Sequence, residues 1–129
     1  MAVGFAPATA NAILDALCRS VAWTEPAELW VKPHIGDPGA AGTANAATET
    51  TRKQATFGTA ASGGSIANTV AVTWTNVAAS EDYTHVSVWD ASTAGTFLFS
   101  GTVTADAVTA TGGFTVDVGG ITVTLAVAA

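Results

Sequence analysis

Two histidine–aspartate sets are the residues in this sequence that come nearest to a metal site. His34 precedes Asp37 by three positions, and His85 precedes Asp90 by five. A zinc site needs three or more nitrogen, sulfur or oxygen ligands that converge at about 2 Å. Neither spacing matches a ligand pattern. We therefore predict no metal, no cofactor and no catalytic residue, and expect both histidines to form local hydrogen bonds on sheet faces.

Cys18 is the single cysteine, which excludes an internal disulfide and a multi-cysteine metal site. A nucleophilic thiol needs a neighbouring base and an environment that favours the thiolate, and the surrounding sequence supplies neither. Cys18 follows Leu17 in a helical pattern, so we expect it to be a small buried hydrophobe. Phosphate-binding glycine motifs and the G-x-S-x-G nucleophile elbow of hydrolases are also absent. These observations predict a protein that is not an enzyme.

The charge balance argues against nucleic-acid binding. The 129 residues contain ten acidic and four basic side chains, and the formal net charge is −6. Such a chain repels phosphate, and Arg52 and Lys53 are its only adjacent bases. We keep Arg52 and Lys53, together with His34 and His85, as candidate contacts with a neighbouring subunit or a ligand.

The largest contact areas belong to four tryptophans: Trp23, Trp30, Trp74 and Trp89. Trp74 shares a strand face with two valines and is expected in the core. Trp30 and Trp89 lie opposite the clearer apolar faces of their strands. That position leaves two interpretations open, packing within the chain or contact with another molecule, where tryptophan is enriched.

One helix and a series of short strands must position these side chains. Apolar residues at helical spacing predict a helix over residues 7–19, which caps one end of the fold or docks on a neighbouring subunit. From residue 28 to residue 127 the period is two, and turn signals separate the alternating segments. Seven or eight such strands predict an antiparallel β-sandwich or jelly-roll-like barrel, in a single domain of residues 1–129.

Three local predictions concern the strands. Pro33 cannot donate to a ladder, so it predicts an edge strand or a bulge. Glu81 and Asp82 are expected in a turn, and Gly119-Gly120 in a tight hairpin. No apolar run reaches 18 residues, and no basic segment precedes an apolar one at the start, so neither a membrane span nor a signal peptide is predicted.

Four segments together follow the pattern of one family. They are a short helix, a Pro-Ala-x-Leu-x-Val strand with a Gly/Ala-rich loop, an Arg/Gln-bearing strand that ends in Thr-Phe, and a Thr-His-Val-x-hydrophobic-x-Asp-Ala segment. Here they occupy residues 10–17, 26–31 with 36–39, 52–57 and 84–91. Over nearly its whole length, the chain resembles small tail-fibre-like or minor virion structural proteins of tailed bacteriophages.

The resemblance implies a non-enzymatic structural component of the virion, assembled in the host cytoplasm. Its partners would be other virion proteins and copies of itself, with a tail or fibre position favoured over capsid decoration. Two further hypotheses remain. One is a carbohydrate- or receptor-binding module that presents Trp30 or Trp89 to a host glycan, and the other is a small enzyme built on His34, His85 and nearby acids.

Overall fold

One helix and eight strands form the regular structure of residues 3–128, the part of the chain that the computed structural model describes. The helix, α1, spans Pro7–Arg19. The strands in chain order are β1 Leu29–His34, β2 Lys53–Ala55, β3 Ser65–Ala67, β4 Val72–Trp74, β5 Glu81–Trp89, β6 Phe97–Val108, β7 Phe114–Val116 and β8 Thr122–Thr124. Every strand pair is antiparallel. The predicted mainly β class with an N-terminal helix is confirmed.

The strands form three sheets. The largest has the order β2-β1-β5-β6, and the pairs β3-β8 and β4-β7 form two small sheets. The main core contains Val31, Val86 and Val88 of the large sheet together with residues of the β4-β7 pair. At its aromatic centre, the Phe114 ring centroid lies 5.5 Å from that of Trp74 and 5.0 Å from that of Tyr83. The strands of the large sheet and of the β4-β7 pair therefore enclose the main apolar core.

The second face of the large sheet is also covered. On β5 the core-facing Val86 and Val88 and the intervening Ser87 and Trp89 are all buried. The cover comes from the loop of residues 35–47 and from the N-terminal segment, where Ala6 packs with Trp89 and Phe97. In this strand, the alternation of apolar and polar residues therefore does not predict which side chains are buried.

Gly42 lies where that loop touches the sheet. Its φ is +72°, and an added Cβ would come within 2.5–2.9 Å of the Phe97 ring. Gly42→Ala is therefore expected to lower the free energy of unfolding by about 2 kcal/mol, through both backbone strain and overpacking. Urea unfolding monitored by circular dichroism measures this change.

Gly63→Ala is the matched control for that substitution. Gly63 has a similar φ of +59°, but nothing lies within 4 Å of its added Cβ. It should cost only the backbone strain, about 1 kcal/mol. Equal losses in the two variants would contradict the contact between Gly42 and Phe97.

Pro33 lies in a central strand, so the prediction of an edge strand or a bulge at this position is wrong. β1 pairs with β2 on one side and β5 on the other, and Pro33 stands opposite Val86. The Pro33 carbonyl accepts from the Ala47 N–H at 3.4 Å, on the side away from β5. The missing N–H of Pro33 faces that same side, where β2 has not yet begun, so the β1–β5 ladder loses no bond.

The turn predicted at Glu81-Asp82 and the hairpin predicted at Gly119-Gly120 are also wrong. Glu81 and Asp82 begin β5 and pair with the end of β6. Gly119 and Gly120 do form a turn, but the strands on either side belong to different sheets, because β7 pairs with β4 and β8 with β3. The glycine pair correctly predicted that the chain reverses direction, but it did not predict that the two flanking strands pair with different strands.

Helix α1 leaves most of its surface exposed. The chain before it forms a bridge between Phe5 and Phe99 on the free side of β6, and Thr9 is the buried residue of the helix. Ser20 ends the helix in a left-handed conformation. Cys18 is exposed, so the expectation of a buried cysteine is wrong. The helix docks through its first turns, and Cys18 lies in its last turn.

Candidate functional site

His34 sits at the centre of a buried hydrogen-bond chain. Its Nδ1 lies 2.9 Å from the Ala44 carbonyl, which can only accept, so Nδ1 carries the proton. Its Nε2 lies 2.7 Å from the Ser87 hydroxyl, and that oxygen also accepts from Trp89 Nε1–H at 2.8 Å. The chain runs from Trp89 through Ser87 to His34 and ends on Ala44. It fastens the loop of residues 35–47 to β1 and β5.

Burial governs the charge state of His34. Desolvation lowers the pKa of His34 below its ordinary value of 6.5, and the positive charges of Lys32 and His85 lower it further. The carbonyls of Ala44 and Asn45 act in the opposite direction without reversing the shift. The neutral ring is therefore the form that the fold stabilises.

The free energy of unfolding is expected to fall as the pH drops below 6.5. The unfolded chain protonates His34 around that pH, whereas the folded chain protonates it only at lower pH. The unfolded state then binds more protons, so stability decreases by up to about 1.4 kcal/mol per pH unit. Urea unfolding at a series of pH values between about 7.5 and 5.5 measures this slope.

Two variants assign that slope to one residue. His85→Gln removes the other imidazole and should keep the fall in stability, whereas His34→Gln should flatten it. A wild-type profile that is already flat over this range would contradict the neutral, buried state of His34. So would an unchanged slope in His34→Gln.

Arg52 covers the outer side of Trp89. Its guanidinium carbon lies 4.2 Å from the centre of the indole ring, at cation–π distance. Its Nη1 donates to the carbonyls of Ala91 at 2.8 Å and Ala94 at 2.7 Å. Arg52 thereby holds the β5–β6 loop against the start of β2. The candidate pair Arg52 and Trp89 is thus brought together by the fold.

The remaining candidates are more accessible. Trp30 pairs with Trp89 across the β1–β5 ladder, is half-buried, and donates from Nε1 to Glu28 Oε2 at 3.1 Å. His85 stands opposite His34, and its Nδ1 lies 2.7 Å from the Thr84 hydroxyl. Lys53 stands opposite Val31 and is half-exposed. Trp30, His85 and Lys53 are therefore better placed than the buried His34 and Trp89 to contact another molecule.

The histidine–aspartate sets do not form a cluster of ligands. Within residues 3–128 no three His, Cys, Asp or Glu side chains group so that they would hold a metal ion. One carboxylate oxygen of Asp37 accepts from the Gly39 amide at 2.8 Å, and one of Asp90 accepts from the Thr96 amide at 2.7 Å. Both aspartates stabilise loops. None of the helices in the described range is long and apolar enough to cross a membrane.

Sequence reasoning missed two residues of this region. The Ser87 hydroxyl joins His34 to Trp89. Lys32 lies close enough to Arg52 for the two charges to interact, and this approach depends on which strands pair. A serine between valines carries no signal of such a role, since its partner His34 comes from another strand, β1.

An apolar surface is the second notable feature. It is formed by the exposed side of α1 and the segment that follows, and we call it the helix surface: Leu14, Leu17, Val21 and Trp23. Leu14 is 57% exposed and Leu17 79%. Exposed apolar side chains that lie near one another in the chain are candidates for contact with another molecule. The helix surface is therefore a candidate interface.

Comparison with known proteins identifies the family. Residues 4–124 match the family described as podophage GP4 fiber I protein gp80. The chain belongs to the gp80 family. A search of curated proteins found no match.

Membership in the gp80 family confirms the predicted resemblance to tail-fibre-like structural proteins of tailed phages. The match runs from the segment before α1 to the end of β8, so it includes all the elements described above. The family match also confirms the predicted location, because a phage fibre protein is a virion component that is assembled in the host cell.

Proposed function

We propose that this chain is a non-enzymatic structural part of the phage particle, positioned at the tail or a fibre, which assembles through contacts with copies of itself and with other virion proteins. The match to the gp80 fibre family over residues 4–124 carries the proposal. We further propose that residues 1–129 fold as one domain.

The helix surface supports assembly through subunit contacts. Leu14 and Leu17 are one turn apart on α1, so they lie on one side of the helix. Burying one leucine side chain is worth about 1.5–3 kcal/mol. Closed symmetric assemblies of one chain are the commonest soluble oligomers. A second copy that covers the helix surface would remove both leucines from water.

Leu14→Ser with Leu17→Ser is expected to convert an oligomeric wild type into a monomer. Both side chains are mostly exposed, so the double variant should change the free energy of unfolding of the isolated chain by less than about 1 kcal/mol. Light scattering coupled to size-exclusion chromatography measures the mass directly.

Val70→Ser with Val118→Ser is the matched control for this experiment. Both valines are exposed, by 54% and 63%, and both lie outside α1. The control should keep the oligomeric mass of the wild type. A monomeric wild type, or equal dissociation of both variants, would count against assembly through the helix surface.

The position in the particle needs a separate experiment. Mass spectrometry of purified virions should detect the chain, and absence from intact particles would overturn the virion role. Labelled antibody should then mark the tail end of the particle. Labelling over the whole head, with many copies per particle, would favour capsid decoration instead.

Internal hydrogen bonds support the non-enzymatic part of the proposal. Both ring nitrogens of His34 are engaged within the fold, as is one carboxylate oxygen of Asp90. A sugar platform made by Trp89 has less support, because Trp89 is buried beneath Arg52. A glycan array probed with wild type and Trp30→Ala tests the platform at Trp30.

A further inference from the structure

The basic side chains of this acidic protein are unevenly placed. Three of the four lie on the neighbouring strands β1 and β2 or directly beside them: Lys32, Arg52 and Lys53. Within residues 3–128 the one ion pair joins Arg19 to Asp15 on α1. Although acids outnumber bases ten to four, these three bases form no ion pair among the described residues.

Lys32 and Arg52 line one cavity, which we call the basic cavity. Its volume is about 570 Å³, within the range of small-molecule sites. Four hydroxyl-bearing residues from the segment before β2 and from the β5–β6 loop also line it: Thr50, Thr51, Ser92 and Thr93. Two basic residues and four hydroxyl-bearing residues thus line a common space.

Arg52 is held rigidly in this cavity. The Ala91 and Ala94 carbonyls bind its Nη1, and the Trp89 ring supports its face. The hydrogen bonds of the described residues use no other nitrogen of the guanidinium. Arginine presents several donors in a fixed planar fork that suits carboxylates and phosphates. A ligand therefore meets donors whose position is already determined.

The charge in the cavity is only partly balanced. Burial lowers the pKa of Lys32, and the nearby charge of Arg52 lowers it further. Asp90 is the one acid that raises the pKa of Arg52, against a larger effect of burial. One Asp90 carboxylate oxygen is already bonded to the Thr96 amide. A bound anion would relieve the repulsion between Lys32 and Arg52.

We propose that the basic cavity binds the anionic group of an acidic sugar, with Arg52 and Lys32 contacting the carboxylate or phosphate and the hydroxyl rim contacting the sugar. Charged donors fix the anion, while serine and threonine hydroxyls can both donate to and accept from sugar hydroxyls. This site is separate from the helix surface, so it does not depend on assembly through that surface.

Titration of the isotope-labelled protein tests this proposal directly. Galacturonate, inorganic phosphate and neutral galactose are added separately at constant ionic strength, and amide shifts are followed by NMR. Galacturonate is expected to move the amides of residues 50–53 and 91–95. Stronger binding by galacturonate than by phosphate supports a carboxylated sugar, and the reverse order supports a phosphorylated one. Binding of galactose as tight as that of galacturonate, or no shift with any probe, would overturn the proposal.

Two variants distinguish the cavity from general positive charge. Lys32→Gln removes a lining charge and should weaken galacturonate binding by about tenfold or more. Lys53→Gln removes the same charge from the neighbouring base, which does not line the cavity, and should change binding by less than about twofold. Equal weakening by both variants would overturn a specific site.

A second copy of the chain is the rival occupant of the basic cavity. If Lys32→Gln changes the oligomeric mass while galacturonate moves no cavity amide in the wild type, an acidic segment of a neighbouring copy fills the cavity and the sugar proposal is wrong. The helix-surface variant Leu14→Ser with Leu17→Ser should bind galacturonate like the wild type. Its failure to assemble and a failure of the basic cavity are thus distinguishable.

Discussion

Replacing Asn68 by alanine is expected to lower the free energy of unfolding by about 3 kcal/mol. The side chain is 1% exposed and every polar atom is engaged. Nδ2 donates to the Val70 carbonyl at 3.0 Å and the Asp117 carbonyl at 3.1 Å. Oδ1 accepts from the buried Ile121 amide at 2.9 Å. Alanine leaves that N–H without a partner in the protein interior, which alone costs about 1–3 kcal/mol.

The backbone of residue 68, which alanine retains, lies at the same junction. Its N–H donates to the Ile121 carbonyl at 3.1 Å, and its carbonyl accepts from Gly119 at 2.9 Å. Residue 68 therefore joins the connection between β3 and β4 to the turn between β7 and β8. Two small sheets depend on that junction, and urea unfolding monitored by circular dichroism reports its loss.

Two further substitutions show whether the amide itself is responsible. Asn68→Asp keeps the acceptor for Ile121 but loses both donated bonds and brings negative charge against two carbonyl oxygens, so a loss of similar size is expected. Asn11→Ala changes an exposed asparagine on α1 and should stay within about 0.5 kcal/mol. A loss below about 1 kcal/mol in Asn68→Ala would contradict the junction.

Local patterns in the sequence predicted the elements better than their partners. The helix at residues 7–19 follows from apolar spacing, and most strands follow from alternation with Val, Phe and Trp. Pairing is a long-range property, because each short strand has several possible neighbours of similar composition. Pro33 illustrates the limit: its missing N–H is tolerated in a central strand because it faces a position before the first residue of β2.

The sequence also did not predict that both faces of the large sheet are buried. Alternation assigns Ser87 and Trp89 to the face opposite the valines, yet a loop and the N-terminal segment cover that face. The same cover buries His34 and leaves Arg52 and Lys32 beside a cavity. Residue types alone indicated His34, Trp89 and Arg52 but neither Lys32 nor Ser87, and the grouping of these residues depends on the β2-β1-β5-β6 order. The predicted burial of Cys18 was wrong for a related reason, because an apolar helical face need not pack within its own chain.

Replacing Trp74 by alanine is expected to cost about 4 kcal/mol, the largest effect among the substitutions considered. Trp74 is 1% exposed, and its ring centroid lies 5.5 Å from that of Phe114. Its Nε1 donates to the Thr51 carbonyl at 2.8 Å. Alanine opens a cavity between the large sheet and the β4-β7 pair, and it removes the donor that fixes the segment leading to Arg52.

Trp74→Phe separates the two contributions. It keeps an aromatic ring in the core but loses the bond to Thr51, so about 1–2 kcal/mol is expected. Trp30→Phe is the matched control, because Trp30 also donates from its indole, to Glu28 at the surface. That change should cost less than about 1 kcal/mol, since water can replace the lost bond. If Trp74→Phe costs no more than Trp30→Phe in urea unfolding, the core at Trp74 is held by packing alone, and the bond to Thr51 contributes nothing to stability.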